Sequence, residues 1–524
     1  MKAIYSSINE LDILFPVAKK LRDEHGITPI YWSGANNMST TIKSAFPDIL
    51  FHDFMDAIKG EWPAEIDLEI GYRQFGRDLI AQYMGVEKIF YELCLTRSDP
   101  GNGFKYYELT NYFHRALAAA LSFISTHKPD IWISSLPPHA MYDNVMYEVC
   151  RQNGIKTIIL YDTNLPGYML TINDLNYSID PLRTEAARLL AENIDTSESA
   201  LPEAVRKYVQ GIRKDYEHGK PFQFEINYPG DSGLDRHSFK RIRSELSAKQ
   251  SAQIRTLIKH TFRHGFSKTP FDKPHYIKQA NVSWKDSFRD AKSWHKYRIR
   301  ITNDAQRAFN SYQSLCNPYD PQKPYVFFPL HMQPECTTVP QGGEFADQLM
   351  TLRMLRSALD SNQYIFVKEA PGQFRWHRGS SARYTWIYEE MASMHNVHLL
   401  PMDTNPFTLI DNSECVFCIT GTAGWESIVR GKPVIAMGSL YYYKGFDGVY
   451  QAETTEDIRN TLLDIKLNPE ISWETTLRNI HALINISHPC THQTKHLKLH
   501  QIPPNENTNI LTQAIVSSLS ISLE

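Results

Sequence analysis

Short apolar runs alternate with segments of helical period in two separate parts of the chain. Near the start, Lys2-Ala-Ile-Tyr-Ser reads as a buried strand, a helix follows through Lys20 and Arg22, Gly26 ends it, and Thr28 to Trp32 supplies the next strand. The rhythm returns with a helix from Leu109 to Thr126, a strand from Asp130, a helix from Tyr142 to Asn153 closed by Gly154, and a strand from Lys156 to Tyr161. Strands separated by helices predict a parallel sheet, buried on both faces.

A second series opens at Tyr325-Val-Phe-Phe-Pro-Leu. It continues through a helix near 345–359, a strand Tyr364 to Lys368, a helix near 384–395, and strands at His398 and at Cys415 to Ile419. A helix opening after Gly424 leads to a strand from Pro433. Between the two series, residues 170–320 lose the strand rhythm and read as mostly helical. The predicted organisation is therefore an N-terminal Rossmann-like domain over 1–170 and a helical basic insert over 171–320. A second Rossmann-like domain over 321–486 and a tail over 487–524, with a short helix from Ile510 to Ser518, complete it. The expected fold class is α/β, two Rossmann-like domains facing a cleft.

A length of 524 residues suits two or three domains, and 42% apolar with 22% charged residues is ordinary for a globular chain. The net charge of -3 argues against wholesale nucleic-acid binding. The charge is unevenly spread, however. Arg236 to Arg300 carries about 17 Lys/Arg against about 4 Asp/Glu, interleaved with aromatics. Phe239, Ile242 and Leu246 recur there at helical steps, with Lys240, Arg241 and Arg243 between them. That stretch is either a solvated helical face or a surface for anionic lipid or an acidic glycan.

Seven scattered cysteines predict no disulfide framework, and Cys415-Val-Phe-Cys418 reads as a pair of buried strand thiols. The N-terminus turns polar too early for a secretory segment, and no apolar run approaches the ~20 residues needed to span a bilayer. A cytoplasmic protein, peripheral on the inner membrane at most, is expected. No Asp-x-Asp or H-E-x-x-H calls for a metal, and no G-x-G-x-x-G for a dinucleotide, so no cofactor is expected.

The segment Ile419-Thr420-Gly421-Thr422-Ala423-Gly424-Trp425-Glu426 carries the most chemistry. Thr420, Gly421, Thr422 and Gly424 are small enough for backbone amides and a helix start to approach a phosphate closely. Glu426, placed in the first helical turn, would accept hydrogen bonds from ribose hydroxyls, or simply complement the helix dipole. His331 and Glu335 lie past the end of a strand, where open α/β sheets bind ligands, and could act as acid/base, nucleophile or sugar anchor, or merely cap a loop. Lys368 ends a strand and would neutralise a donor phosphate, unless it is a solvated strand-end lysine. His139 and Asp143 stand one helical turn apart and could share a face, although Asp143 also suits a helix start.

Thr420-Gly-Thr-x-Gly-x-Glu426 with Gly431-Lys-Pro-Val resembles the nucleotide-sugar signature of GT-B glycosyltransferases. Within them it is similar to the bacterial capsule-polysaccharide synthesis family, which includes β-Kdo transferases. Phe328-Pro-Leu-His331-Met-Gln333-Pro-Glu335, Phe366-Val-Lys368-Glu369-Ala370-Pro371 and Pro137-Pro-His139 with Asp143 fit that family in order. The resemblance implies Thr420, Gly421, Thr422, Gly424, Glu426, Lys368 and Gln333 on the donor, with Glu335, His331, His139 and Asp143 as catalytic candidates. The family carries a histidine where this chain has Ala370. In the Kdo enzymes that histidine is implied in donor handling, so the departure bears on CMP-Kdo as donor; Arg375, His377 or Arg378 could take its place. The implied function is transfer of a sugar from a nucleotide-activated donor, CMP-Kdo or a related CMP-sugar, to a surface-polysaccharide or glycolipid acceptor. A nucleotide-sugar epimerase and a non-catalytic polysaccharide assembly subunit are the alternatives.

Overall fold

The computed structural model describes residues 1–8, 10–97, 106–219, 238–264, 284–333, 335–375 and 383–520. Its described residues form two compact units. The first holds Met1–Tyr177 together with the stretch that begins at Ser487, and the second runs from Ser178 to Ile486.

The first unit is built on one six-stranded sheet of order β3-β2-β1-β4-β5-β6. Its strands are β1 Lys2–Ser6, β2 Thr28–Gly34, β3 Leu50–Asp53, β4 Ile131–Ser134, β5 Lys156–Asp162 and β6 Met169–Ile172. All neighbours run parallel except β5 and β6, which are antiparallel. The helix Leu11–His25 packs on this sheet through Leu14, Val17 and Leu21 and stops where Gly26 takes φ +65°, a conformation that costs glycine nothing.

The second sheet repeats the pattern with order β12-β11-β10-β7-β8-β9, every pair parallel. Its strands are β7 Tyr325–Pro329, β8 Tyr364–Lys368, β9 Val397–Leu400, β10 Cys415–Cys418, β11 Val434–Ala436 and β12 Val449–Gln451. Their unbroken apolar runs are what a sheet covered on both faces requires, and Val326, Phe328, Ile365, Val367 and Phe417 are buried to within a few per cent. In each sheet the order reverses beside the first strand, between β1 and β4 and between β7 and β10. At such a point the chains leaving the two strands diverge and open a crevice at the carboxyl ends.

Two expectations about organisation need correction. The described residues of 178–320 form no separate domain, because their apolar stripe is spent on the second unit. Ile242 and Leu246 of the helix Phe239–His264 join Phe309, Tyr312, Val326 and Leu352 in one core. Nor does the tail stand apart. The helix Pro504–Ser520, longer than the 510–518 predicted, packs on Leu11–His25 and puts Leu511 and Ile515 into the core of the first unit. Cys415 and Cys418 are buried in β10, three residues apart and so on opposite faces of the sheet, where they cannot share a ligand.

Candidate active site at the carboxyl edge of the second sheet

From β7 the chain runs through Leu330 to His331; from β10 it runs through Ile419 and Thr420 to Gly421. The His331 ring spans the two, its Nε2 accepting the Thr420 amide at 3.0 Å. A Cβ on Gly421 would stand 2.8 Å from that nitrogen, so glycine is demanded here by the imidazole. Gly421 is also the N-cap of the helix Thr422–Val429 and offers no side chain to the first-turn amides, which lack intrahelical partners in any helix. Gly424 lies inside this helix, not before it. A Cβ there would meet the Tyr443 hydroxyl at 2.3 Å, and that hydroxyl donates to the Gly421 carbonyl at 2.6 Å. Thr420 donates its hydroxyl to Thr337 O at 2.5 Å, and Thr422 is exposed at the helix mouth. The small residues thus admit two protein side chains and leave a bare helix start.

Two buried ionisable side chains, one basic and one acidic, lie beside that mouth. Lys368 ends β8, in register with Pro329 of β7, and is buried rather than solvated. Glu426 falls in the second turn of the Thr422–Val429 helix, because that helix begins three residues earlier than predicted, and it is also buried. Burial pushes the Glu426 carboxyl up to about 8 against the pull of Lys368 and Arg430. Burial likewise brings the Lys368 ammonium down to about 8, opposed by Glu426, Asp403 and Glu369. For both groups desolvation outweighs the pull of the opposite partner. Tyr208, from the helix Glu203–Lys214, lies near Glu426, whose charge adds to burial in raising its phenol.

Behind this crown sits a buried ion pair. Arg383 donates from Nε to Glu369 Oε2 at 2.7 Å, from Nη1 to Gln333 Oε1 at 2.6 Å and from Nη2 to the His331 carbonyl at 2.9 Å. Glu369 also accepts from Tyr388 at 2.5 Å and from the Ala370 amide at 2.8 Å. Gln333 spends its amide nitrogen on Ala346 O at 3.1 Å. With both ends of its side chain engaged by protein, it braces the loop instead of facing a donor, contrary to expectation. Glu335 is half-buried, accepts from the Thr337 hydroxyl at 2.9 Å, and opens the turn whose Thr337 carbonyl touches Thr420.

Residues 240–471 match the family model described as capsule polysaccharide biosynthesis protein. The match takes in His331, Lys368, Glu369, Arg383, Thr420 and Glu426 together. It also reaches back into the helical insert as far as Lys240. A stretch of 53 residues is 40% identical to the capsule polysaccharide modification protein LipA of Neisseria meningitidis serogroup B, covering 10% of this chain and 8% of that relative. Among solved structures, the β-Kdo 2,7 transferase KpsC of Thermosulfurimonas dismutans aligns at 10% identity over 69% of this chain and 79% of its own, with a TM-score of 0.26. The UDP-GlcNAc 2-epimerase of Methanocaldococcus jannaschii aligns at 11% identity over 92% and 98%, with a TM-score of 0.22.

The first unit treats its candidates differently. The helix Met141–Gln152 starts after Ala140, so His139 lies outside it and the two residues share no helical face. Asp143 is fully buried and acts at the helix start, accepting from the Ala140 amide at 2.8 Å and from the Ser7 hydroxyl at 2.5 Å. His139 Nδ1 is within 2.8 Å of Pro137 O. The polar group at this switch point is instead Ser7, a non-glycine residue at φ +54°, bonded to Asp143 and Tyr142 and backed by Ser33 and Ser135. Sequence reading missed Tyr208, Arg383 and Tyr443, whereas Ser7 lies in the loop 6–12 after the first strand, expected from sequence to border the acceptor. Of the substitutes for the family histidine, His377 and Arg378 lie outside the described residues, as does the side chain of Arg375. Among the described residues no cluster of metal-ligating side chains forms, and no helix is long and apolar enough to cross a membrane.

Proposed function

We propose that this chain is a glycosyltransferase of surface-polysaccharide synthesis that holds a nucleotide-activated sugar at the carboxyl edge of its second sheet. The observation that carries the reading is the buried pair Lys368 and Glu426 beside the uncapped start of the Thr422–Val429 helix, inside the capsule-family segment. A nucleotide sugar supplies what both groups lack. Its phosphate would accept from the helix-start amides and favour the charged form of Lys368, offsetting the desolvation that brings it to about 8. Its ribose hydroxyls would donate to Glu426 and favour the carboxylate.

Transfer moves negative charge onto the departing phosphate, so a cation and fixed dipoles already aimed there stabilise the transition state more than the ground state. Glu335 is the candidate base for the acceptor hydroxyl. His331, buried and held neutral, serves as a fixed polar wall, not as a proton carrier. The acceptor is proposed to be a glycan or a lipid-linked glycan, and a CMP-sugar such as CMP-Kdo the donor. The test is a thermal-shift panel of CMP, UDP, GDP and CDP, since a ligand that binds the native state raises its melting temperature. One nucleotide should stabilise strongly, and its sugar conjugate should be hydrolysed slowly without acceptor. No stabilisation by any nucleotide at millimolar concentration would refute the proposal, and release of an epimerised sugar would move the chain to the epimerase reading.

A further inference from the structure

We propose that Arg383, clamped by Glu369, is a positioning residue that fixes the His331 ring over Gly421 and thereby shapes the donor mouth. The inference rests on the donor-site reading above and deepens it. Arg383 reaches three places at once: the Glu369 carboxylate past the end of β8, the Gln333 side chain, and the carbonyl of His331 itself. It therefore ties the loop after β7 to the loop after β8. His331 carries the tie onward to the loop after β10 through its contact with Thr420. Three loops at the switch point are joined through one guanidinium.

The planar fork is what makes this possible. Its donors diverge in one plane, whereas a lysine ammonium at the same place offers three donors from a single point and cannot span carboxylate, amide and carbonyl together. Both members of the pair are buried, with side chains 4% and 0% exposed, so neither can exchange its partner for water.

The tie also settles which form of the ring is present. With Nε2 accepting the Thr420 amide, the proton of the neutral imidazole sits on Nδ1. That nitrogen is buried and has no hydrogen-bond partner among the described residues. A second proton would face Nε2–H against the Thr420 N–H. Burial and the Arg383 charge both oppose it, and they bring the ring down to about 4. Of the other side chains bonded at this loop, Gln348, Gln333 and Gln373 are uncharged, Glu335 accepts from Thr337, and Glu369 is spent on Arg383 itself.

The test uses the full chain with histidine-selective 15N labelling, the His331 signal assigned by its loss in His331→Gln. In the wild type the ring should stay neutral and protonated on Nδ1 from pH 8 to pH 5. A ring that titrates near 6.5, or carries its proton on Nε2, overturns the proposal without any variant. In Arg383→Lys the charge remains but the fork is lost, and in Glu369→Gln the clamp is loosened isosterically. Each should raise the His331 midpoint by about one unit or more as water reaches the ring, and mix its tautomers. Each should also weaken binding of the stabilising nucleotide at least tenfold. Far-UV circular dichroism identifies the folded variants. A folded Arg383→Lys whose His331 signal is unchanged overturns the proposal. The NMR readout needs no ligand, so a wild type that binds no nucleotide sinks the donor site alone, while the ring's titration still judges the clamp.

Discussion

Replacing Glu426 by glutamine removes a carboxyl that burial keeps protonated up to about pH 8. In the unfolded chain the same group titrates near its ordinary value of 4.5. Between those values the unfolded state has released its proton and the folded state still holds one. Stability therefore falls as pH rises through that window, by about 1.4 kcal/mol per unit. The full span sets a ceiling of about 5 kcal/mol on what Glu426 costs the empty protein at alkaline pH. Part of this returns in the variant. Lys368 loses a counter-charge, its ammonium is depressed further below 10.5, and the lysine then costs more below that value. A net gain of about 2 kcal/mol at pH 8 is the expected balance. Wild type and Glu426→Gln should melt close together at pH 5, and the variant should melt a few degrees higher at pH 8, at matched ionic strength. The same variant should bind nucleotide more weakly by about 1–3 kcal/mol, since ribose hydroxyls would lose their acceptor. A stability difference that does not change between pH 5 and pH 8 would refute the account of Glu426 as a desolvated acid. Unchanged nucleotide affinity would refute its role in binding.

Gly421→Ala should displace the His331 ring, which a Cβ would approach to 2.8 Å, and should cost at least tenfold in nucleotide affinity by calorimetry while the fold survives. Glu335→Gln should lower transfer by roughly 10²-fold or more with nucleotide binding nearly intact, and near-normal turnover would return Glu335 to a structural role. Asp143→Ala should destabilise the first unit by about 3 kcal/mol in a melt, because the Ala140 amide and the Ser7 hydroxyl lose a shared acceptor. Reversing Lys240, Arg241 and Arg243, all exposed on the Phe239–His264 helix, should reduce sedimentation with anionic liposomes at low salt. About 0.5 M salt should abolish the wild-type association, and equal behaviour with neutral liposomes would remove a membrane surface from consideration.

The strands of both sheets were legible because each is a short apolar run, and burial on two faces writes itself into consecutive residues. Ile242 and Leu246 were legible as a helical stripe for a similar reason, though not what they pack on. The site was legible where chemistry coincides with a strand end, as at His331, Lys368 and Thr420. It was not legible where a residue's meaning depends on a distant partner. Arg383 is one of several arginines in its neighbourhood, and only the folded chain brings it to Glu369 and Gln333. Gln333 looked like a ligand because its type suits one, yet its hydrogen bonds go to protein. Glu426 was placed one turn too early because Gly424, which reads as a helix breaker in sequence, lies inside the helix Thr422–Val429.

The packing of Pro504–Ser520 against Leu11–His25 bears on the order in which the protein is made. Residues at the two ends of the described chain share one core, with Ile515 and Leu511 beside Leu14 and Val17. About 300 residues of the second unit are translated between Tyr177 and Ser487. At the usual pace of a ribosome that is on the order of 15–60 s, during which the first sheet waits with one flank uncovered. Lys20 and Lys156 likewise wait for Asn509 and for the carbonyl of Leu519. A nascent chain stalled before residue 487 would expose that flank to chaperones and proteases, even with its second sheet complete.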